Sequence, residues 1–480
     1  MLGISETEII ASLGRDNPWW TTNLALFASP NEKERAYFKS FLNLVTEWKI
    51  RRSVILLGPR RVGKTVMLHQ LIREVMKAEL PAKNVFFASV DTPLYSGIPL
   101  ATLVEYFEKE TKHDPNSQRL IVFDEIQYLK NWEVHLKVLT DRYPNTKFVA
   151  SGSAAAALRR KSQESGAGRF TDFFLPPLTF AEFLKFRELE QQLVLHIPDS
   201  NPRRYSTSDI EHLNEEFIGY LNYGGYPEAV LNENIREDLP RFLGRDIIDK
   251  VLLRDLPSLY GIQDIQELNR LFTALAYNTG QEISLDGLSK SSGVAKNTIA
   301  KYLEYLEASF LIARVTRVDD SGRTFTRQRQ FKVYLTNPSM RSALFAQILE
   351  SDQAMGAMAE TAIFSQWFHA PQRSQSLHYA RWKKGKQEFE VDLVMVDRKR
   401  LRPAWAYEIK WSDRFARETP NQLYGLIELA KKNGTGTFVA GATTKTLSVS
   451  SSVDGIKITQ FPSALHCYQI GKNLADGLPP

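Results

Sequence analysis

Short apolar runs alternate with amphipathic stretches over the part of the chain from Arg52 to about Thr179. Apolar runs separated by helical patterns are typical of parallel strands that are buried on both faces by helices. The pattern therefore predicts an α/β fold with a parallel sheet. Its expected strands are Ser53–Leu57, Asn84–Val90, Leu120–Phe123, Lys147–Ala150 and Phe173–Leu175.

The remainder of the chain shows a different order of elements. Residues 180–280 have mostly helical periodicity, with a break at Tyr223-Gly-Gly-Tyr-Pro227. Residues 281–337 predict two short helices followed by a hairpin, and residues 355–441 predict a helix, three strands, a helix and a strand.

A glycine-rich turn between the first strand and the first helix fits the Walker A pattern. It reads Gly58-Pro-Arg-Arg-Val-Gly-Lys-Thr65, and it has the strand before it and the helix after it that this pattern requires. Glycines let backbone amides face phosphates, and the helix N-terminus adds its positive end. We expect Lys64 to reach the β- and γ-phosphates of ATP and Thr65 to hold Mg²⁺. The predicted nucleotide-binding residues are Gly58, Pro59, Arg60, Arg61, Val62, Gly63, Lys64, Thr65 and Val66.

Two further strands end in polar residues suited to hydrolysis. The apolar strand Leu120–Phe123 is followed by Asp124 and Glu125, which has the form of a Walker B motif. Asp124 is expected near the metal, and Glu125 is expected to polarise the attacking water as general base. The strand ending at Ala150 leads into Ser151-Gly-Ser153. Ser153 is predicted to sense the γ-phosphate, although either serine could instead cap the next helix.

With these motifs in order, the sequence resembles the AAA+ family, specifically the prokaryotic ATPases that carry a winged-helix module and a C-terminal nuclease-like domain. The resemblance extends through Tyr223–Pro227 and implies ATP hydrolysis in a homo-oligomeric ring, most simply a hexamer. Gly168-Arg169 matches the family's arginine-finger position, so the resemblance implies that Arg169 acts on a neighbour's γ-phosphate. A contact within the same lid and a plain surface arginine are the alternatives for Arg169.

The middle of the chain predicts a winged helix that could contact DNA. Helices are expected over Leu285–Ser292 and Ala295–Ala308, and the hairpin after them carries the wing arginines Arg323, Arg327 and Arg329. Lys296, Asn297, Thr298 and Lys301 lie at the start of the second helix, where such modules meet the major groove. Winged helices also serve as protein contacts or spacers, and that alternative stays open.

The C-terminal part places acids and a lysine where a metal-dependent nuclease needs them. Glu360 lies on a predicted helix, Asp392 on a strand, and Glu408 and Lys410 on one face of a further strand. Two carboxylates can bind Mg²⁺, and the lysine can orient water for phosphodiester attack. The arrangement resembles the PD-(D/E)XK nuclease core, with Val391 in place of the motif's proline. The predicted metal ligands are Thr65, Asp124, Glu360, Asp392 and Glu408; the predicted catalytic residues are Lys64, Glu125, Ser153, Arg169, Asp392, Glu408 and Lys410. A core that has lost cleavage and serves only for binding is the alternative.

Composition and charge limit the partners and the cellular location that can be expected. The chain has 480 residues, a net charge of +6, a pI of about 9.0 and a single cysteine, Cys467. These features permit DNA as a partner and exclude an internal disulfide. No apolar run is long enough to cross a membrane and the N-terminus has no secretory pattern, so we expect a cytoplasmic protein. The predicted segments are a P-loop ATPase core with its linker (1–180), a helical lid and connector (181–280), the winged helix (281–340) and the nuclease-like α/β domain (341–480).

Three functions fit these features. The first is an ATP-driven protein that processes DNA, with branched or junction DNA among its candidate substrates. The second is a regulatory ATPase switched by nucleotide, whose C-terminal domain only makes contacts. The third is a defence nuclease gated by ATP. DNA-stimulated ATP turnover would favour the first or third, and metal-dependent cleavage would favour the third.

Overall fold

The chain divides into two compact units, residues 1–176 and 177–480. The computed structural model describes residues 5–21, 33–78, 80–112, 117–153, 168–200, 203–324, 329–368, 370–417, 423–434 and 438–478. Within these residues no helix is both long and apolar enough to span a membrane.

The first unit is built on five parallel strands in the order β2-β3-β4-β1-β5. The strands are β1 Ser53–Leu57, β2 Val85–Ser89, β3 Arg119–Asp124, β4 Thr146–Gly152 and β5 Phe170–Phe174. Strands β1 and β3 are buried along their whole length, as expected for central strands covered on both faces. The predicted parallel α/β sheet is therefore confirmed, with strand ends that differ from the expected ones by up to three residues.

Helices cover this sheet on the two faces. The α-helices of the first unit are Glu6–Asp16, Phe38–Thr46, Lys64–Lys77, Leu100–Thr111 and Trp132–Arg142, and the short 3₁₀ helices are Pro18–Trp20, Ala82–Asn84, Pro93–Tyr95 and Ile126–Tyr128. Strand β4 lies between β3 and β1, so its carboxyl end lies between the ends of the two strands that carry the Walker motifs. The predicted helix after Ser153 falls outside the described residues.

The second unit contains a mixed nine-stranded sheet in the order β15-β16-β14-β13-β12-β11-β9-β10-β8, and a separate hairpin of β6 and β7. The strands are β6 Leu195–Ile197, β7 Arg204–Ser206, β8 Glu282–Ser284, β9 Ile312–Val318, β10 Gln330–Leu335, β11 Leu377–Lys384, β12 Gln387–Asp397, β13 Arg402–Glu408, β14 Val439–Thr444, β15 Val449–Val453 and β16 Ile456–Pro462.

The helices of the second unit include a long run before the sheet begins. Its α-helices are Phe180–Phe186, Glu190–Leu193, Ile210–Tyr223, Pro227–Leu231, Glu233–Glu237, Leu256–Tyr260, Ile265–Tyr277, Leu285–Ser292, Lys296–Ala308, Ser339–Leu344, Met355–Trp367, Pro371–Ser374, Arg414–Arg417, Tyr424–Asn433 and Ser463–Ala475; Pro240–Asp249 and Val251–Asp255 are π-helical. Met355–Trp367 and Ser463–Ala475 pack together on one face of the sheet, and Tyr424–Asn433 covers the other.

One sheet runs through two segments that were predicted from the sequence to be separate, residues 281–340 and 341–480. Strand β9 pairs in parallel with β11, with His378 opposite Thr316. The hairpin expected in a separate wing therefore extends the sheet of the C-terminal segment. Alternation along a strand reports which residues are buried but not which strand lies beside it. The boundaries at 280 and 340 stay predictions about sequence segments.

Candidate functional site

The phosphate-binding loop depends on two glycines. Gly63 has φ of 94° at the start of the helix Lys64–Lys77, a left-handed conformation that favours glycine. At Gly58, an added Cβ would lie 2.0 Å from the carbonyl oxygen of Leu175. Neither position tolerates a side chain without moving backbone. The loop is thereby held at the carboxyl end of β1, in front of a helix N-terminus.

Lys64 closes this loop from within. Its side chain is buried, and its Nζ donates to the carbonyl oxygens of Gly58 at 3.1 Å and Pro59 at 2.7 Å. Thr65 and Val66 are exposed on the first turn of the helix, whereas Val62 is fully buried beneath the loop. The ammonium group therefore lies within the turn in which phosphates are expected.

Arg35 braces the loop from the preceding segment and was not predicted from the sequence. It is 3% exposed, and it donates to the carbonyl oxygens of Val62 at 2.7 Å and Pro176 at 2.9 Å. The two bonds tie the middle of the loop to the segment that follows β5. A single arginine in a linker-like stretch gives no sequence pattern that would have identified this role.

The two Walker motifs meet through one hydrogen bond. The Thr65 hydroxyl donates to Oδ2 of Asp124 at 2.7 Å, and the Ser151 hydroxyl donates to Oδ1 of the same carboxylate. Burial raises the pKa of Asp124, and the hydrogen bonds from Ser151 and Thr65 only partly oppose that rise. Hydroxyl and carboxylate oxygens are the ligands that Mg²⁺ prefers, so Thr65 and Asp124 fit the expected metal site.

Glu125 follows directly and is held in an unusual backbone conformation, with φ of 51°. Its N–H donates to Asp124 Oδ1 at 3.1 Å and to Ser151 Oγ at 3.0 Å. Its carboxylate accepts hydrogen bonds from Gln127 Nε2 and, at 3.5 Å, from the Ser153 hydroxyl. The left-handed backbone and these contacts hold the carboxylate beside Asp124, which suits a group that must orient water.

Both serines at the end of β4 therefore contact acidic residues. Ser151 bonds the expected metal-site residue, whereas Ser153 bonds the expected base and accepts from Gln127 Nε2 at 3.0 Å. Of these residues, Ser153 was predicted from the sequence and Gln127 was not. A glutamine two positions after the base is a signal that could have pointed to it.

Arg169 lies at the other end of the sheet from the phosphate loop. Its neighbour Phe170 pairs with Ser53 at the amino end of β1. A strand of this length, at about 3.3 Å per residue, separates Arg169 from the loop by roughly 15 Å. The Arg169 guanidinium is half-exposed and bonds Asp141 at 2.6 Å. This position does not favour contact with a phosphate bound to the same subunit.

The acids and lysine of the C-terminal segment come together in one cluster. Lys410 Nζ lies 2.7 Å from Glu408 Oε1 and 3.4 Å from Asp392 Oδ2. Asp392 Oδ2 also accepts from the backbone N–H of Ile409 at 3.0 Å. Strand β13 ends at Glu408, so Lys410 follows the strand instead of lying within it. Its side chain nevertheless reaches the carboxylates, as expected.

A second lysine, from β10, lies among the same acids. Lys332 Nζ lies 3.1 Å from Glu360, 3.0 Å from Glu390 and 3.4 Å from Asp392, and its side chain is 4% exposed. Lys332 was not predicted from the sequence, although it is a charged residue inside the otherwise apolar run Phe331–Leu335. Glu408 and Lys410 are likewise charged residues within an otherwise apolar stretch, Ala404–Trp411.

The charges in this cluster compensate one another. Burial lowers the pKa of Lys332, but the carboxylate of Glu360 and its neighbours outweigh burial and hold that pKa well above its usual value. Burial, with the nearby charge of Asp392, raises the pKa of Glu408 to about 8. Burial is outweighed at Asp392, whose pKa is lowered by Lys410 and Lys332. Among the described residues, no group of three or more His, Cys, Asp or Glu is arranged to hold a metal ion.

The residues expected to contact DNA differ in whether their side chains are exposed and in whether they form salt bridges. Arg323, Arg329 and Lys301 are exposed, and Arg327 lies outside the described residues. Lys296 pairs with Asp286. The sequence also predicts that the basic hairpin turn Arg381-Trp-Lys-Lys-Gly-Lys386 suits a phosphate backbone, with an ordinary solvated turn as the alternative, and in this turn Lys384 pairs with Glu428 at 2.7 Å. Helix Leu285–Ser292 has no fully buried residue, so it packs less tightly than the helix Lys296–Ala308, which buries Ile299, Leu303 and Leu306.

A family model matches the part of the chain that contains the Walker motifs. Residues 50–184 match a family model described as an AAA domain, and residues 214–352 match one described as a domain of unknown function (DUF8612). The first match contains the Walker residues and the strands that hold them. The second crosses two of the segment boundaries expected from the sequence.

Relatives extend over a larger part of the chain. An uncharacterized protein of Haemophilus influenzae is 27% identical over 60% of this chain and 68% of its own length. The uncharacterized protein MJ1544 of Methanocaldococcus jannaschii is 25% identical over 58% of this chain and 60% of its own length, which is less than two thirds of that relative. Among solved structures, the Walker-type ATPase PABY2304 of Pyrococcus abyssi matches 65% of this chain and 95% of its own at 17% identity, with a TM-score of 0.41. From the family match and the geometry of the Walker residues, residues 50–184 form an AAA-type P-loop ATPase domain.

Proposed function

We propose that this chain is a Mg²⁺-dependent ATPase that binds DNA and couples ATP turnover to handling it. The main support for ATP hydrolysis is the hydrogen bond from Thr65 to Asp124, because Glu125 follows Asp124 directly in the sequence. Thr65 and Asp124 hold Mg²⁺, Lys64 holds the β- and γ-phosphates, and Glu125 orients the attacking water. Ser153 and Gln127 keep the Glu125 carboxylate in place.

The proposal that the chain binds DNA rests on exposed, positively charged side chains in the second unit. Arg323, Arg329, Lys383 and Lys386 are all exposed, and no salt bridge is formed by Lys383 or Lys386 within the described residues. Positive charges on loops contact phosphates and confer affinity without sequence preference. We infer that these loops bind the DNA backbone, and that the helix Lys296–Ala308 contributes Lys301.

The acid and lysine cluster acts in this proposal as a charge-balanced core that supports DNA binding. Lys332 and Lys410 provide positive charge among the carboxylates, where a nuclease would need a metal ion. A divalent cation must displace Lys332 before Glu360 and Asp392 can both bind it. This favours the alternative in which the nuclease-like core has lost cleavage over the defence-nuclease function.

The position of Arg169 favours an oligomeric state. Because it is remote from the phosphate loop of its own subunit, its action on ATP requires a second subunit. We propose a homo-oligomeric ring, most simply a hexamer, in which Arg169 leaves Asp141 and reaches the neighbour's γ-phosphate.

The experiment is an ATPase assay with duplex, single-stranded and four-way-junction DNA, together with DNA binding at several salt concentrations. We expect DNA to stimulate turnover, and binding to weaken steeply with salt. Arg323→Glu/Arg329→Glu and Lys383→Glu/Lys386→Glu should weaken binding and lower the salt slope. Glu304→Lys, on an exposed position of the helix Lys296–Ala308, reverses a charge in the opposite direction and serves as the control.

Each outcome separates the competing functions. If no DNA changes the rate of ATP turnover and both charge-reversal variants bind DNA like wild type, the regulatory ATPase is supported and DNA handling is rejected. Cleavage of DNA by wild type with Mg²⁺ or Mn²⁺, lost in Asp392→Asn, would establish the nuclease and reject the charge-balanced core.

A further inference from the structure

The nine-stranded sheet of the second unit ends at β15, which pairs only with β16 among the described strands. The two strands are joined by the loop Asp454–Gly455, in which both residues have positive φ, as in the tight turns of hairpins. The pair that flanks such a turn, Val453 and Ile456, is hydrogen-bonded, and hydrogen-bonded and non-hydrogen-bonded pairs alternate from there. The backbone N–H and C=O groups of Ser450 and Ser452 therefore point away from β16.

The outer edge of β15 is open within the described part of the chain. Apart from the pairing with β16, the backbone of Val449–Val453 makes no hydrogen bond to any described residue. Ser450 and Ser452, whose backbone groups point outward, are also the exposed residues in the middle of the strand. Their N–H and C=O groups form a template with which a further strand can pair.

Other sheet edges of the chain are protected, whereas β15 is not. In the first unit, Asn17 covers the edge of β2, because its side chain bonds the N–H of Phe87 at 2.6 Å and the C=O of Phe87 at 2.8 Å. At the opposite edge of the nine-stranded sheet, β8 has three residues, and its Glu282 is paired with Arg381. Strand β15 contains no charge, no proline and no bulge. Proteins use such devices to prevent edge-to-edge pairing, so their absence favours pairing at β15.

The sequence of β15 reads the same in both directions, Val449-Ser-Ser-Ser-Val453. An antiparallel pair of β15 strands with its two-fold axis at Ser451 sets Ser450 opposite Ser452 of the partner subunit. These two serines then exchange both of their outward backbone bonds. A two-fold contact requires a surface that is complementary to itself, and a palindromic strand provides one.

The same register brings apolar side chains together. Val449 lies opposite Val453 of the partner subunit, at a non-hydrogen-bonded position where side chains approach more closely. Val453 already packs against the core that contains Ile456 and Ile458. Cross-strand pairs of β-branched residues stabilise a sheet, so the two valine pairs extend this apolar face across the axis.

We propose that β15 is the contact surface for a second copy of this chain, through antiparallel pairing of the two β15 strands about a two-fold axis at Ser451. A pair of five-residue strands buries less than about 1,200 Å², which is the class of weak or transient contacts, so the dimer forms and dissociates with concentration. The contact uses no Walker residue and no residue of the basic loops. It therefore goes beyond the function proposed above and does not depend on it.

Cross-linking through Ser451→Cys tests the position of the axis. Directly opposed residues of antiparallel strands have Cα atoms about 4.5–5.5 Å apart, which a disulfide can span. The natural Cys467 is fully buried, so the new thiol is the accessible one. On mild oxidation of the full chain without nucleotide, we expect a cross-linked dimer. Ser448→Cys, at an exposed position just before β15, is the control, because the proposed register separates its two copies by about 20 Å.

Two charge variants at the exposed positions of β15 test the register. Ser450→Lys/Ser452→Lys sets like charges directly opposite each other, so we expect it to weaken self-association about fivefold or more. Ser450→Lys/Ser452→Glu changes the same positions but sets opposite charges across the axis, so it should associate at least as tightly as wild type. Sedimentation velocity from micromolar to submillimolar protein, without nucleotide or DNA, measures both effects.

Three results would each overturn the proposal. Wild type that stays monomeric at submillimolar concentration would leave the edge to an extended segment of another protein. Equal association of the two charge variants would exclude the proposed register. Cross-linking of Ser448→Cys as fast as that of Ser451→Cys would exclude the axis. All three arms compare proteins without nucleotide or DNA, so they are independent of ATP turnover and of DNA handling.

Discussion

The hydroxyl of Thr65 donates a 2.7 Å hydrogen bond to the carboxylate of Asp124, which joins the end of the phosphate loop to the end of β3. The two residues are far apart in the sequence and meet because β1 and β3 are parallel strands on either side of β4. Carboxyl ends of parallel strands share one edge of the sheet, where such folds bind ligands. This contact lies where we propose that Mg²⁺ binds, between Lys64 and Glu125.

Loss of the Arg35 brace should weaken nucleotide binding. In Arg35→Lys, one ammonium cannot match the two bonds to Val62 and Pro176, so a buried carbonyl is left without a partner. We expect a loss of about 1–3 kcal/mol, seen as a lower unfolding temperature and a higher KM for ATP. Arg51→Lys, at an exposed position just before β1, is the matched control. Equal KM values for the two variants would show that Arg35 does not position the loop.

Arg169→Ala should abolish most turnover while leaving ATP binding intact. An arginine supplied to a neighbour's phosphate contributes about 10³–10⁵ in rate. Mixing Arg169→Ala with Lys64→Ala subunits should restore activity, because mixed pairs contain an intact site. Asp141→Asn frees Arg169 without removing it and should retain turnover. If mixing restores nothing and the ATP-bound protein is monomeric by light scattering, the ring proposal is wrong.

Lys332 should be required for the stability of the second unit. Lys332→Met leaves Glu360 and Asp392 buried without their shared cation, which we expect to cost about 3–5 kcal/mol. Adding Glu360→Gln should recover part of that loss, because it removes one of the unpaired charges. Denaturant unfolding of the full chain followed by circular dichroism measures both effects. Lys383→Met, on the exposed hairpin, should change stability little, and an equal effect of the two lysine variants would contradict the assigned role.

His466 should make the second unit less stable in mild acid. Burial lowers its folded pKa to about 3, below the usual 6.5, so the unfolded chain takes up a proton that the folded chain does not. The stability associated with neutral His466 is fully present above pH 6.5 and is lost as pH falls toward 3. Between pH 7.5 and 5.5, wild type should lose about 1.4 kcal/mol more than His466→Phe. A difference between the two proteins that does not vary with pH would contradict this environment for His466.

The arrangement of the proposed nucleotide site could be predicted because its residues lie in short, regular sequence patterns. Gly58, Lys64 and Asp124 each adjoin an apolar strand, and parallel strands bring their carboxyl ends together without further information. Arg35 and Lys332 act on residues distant in sequence, and only the packing of the chain reveals their partners. The burial of His466 was not predictable for the same reason, since its helix packs against the distant helix Met355–Trp367.

The C-terminal cluster shows where pattern and packing differ. Strand β13 lies beside β12, which brings Glu408 to the strand that carries Asp392, and Lys410 reaches both carboxylates from just beyond the end of β13. Alternation along β13 could not indicate that β10 lies in the same sheet and adds Lys332 to the carboxylates. A nuclease motif identified from residue types alone therefore omits Lys332, the positive charge that occupies the space between the carboxylates where a metal ion would bind.

ATP turnover in Glu125→Gln is the most direct test of the proposed hydrolysis site. The amide keeps the shape of the side chain but cannot accept a proton, so binding of ATP and Mg²⁺ should persist while hydrolysis stops. The measurement is single-turnover hydrolysis of radiolabelled ATP by wild type and Glu125→Gln, with nucleotide affinity determined in parallel. We expect near-equal affinities and a rate lower by about 10²–10⁴ in the variant. Hydrolysis at the wild-type rate by Glu125→Gln would show that another group activates the water and would contradict the proposed site.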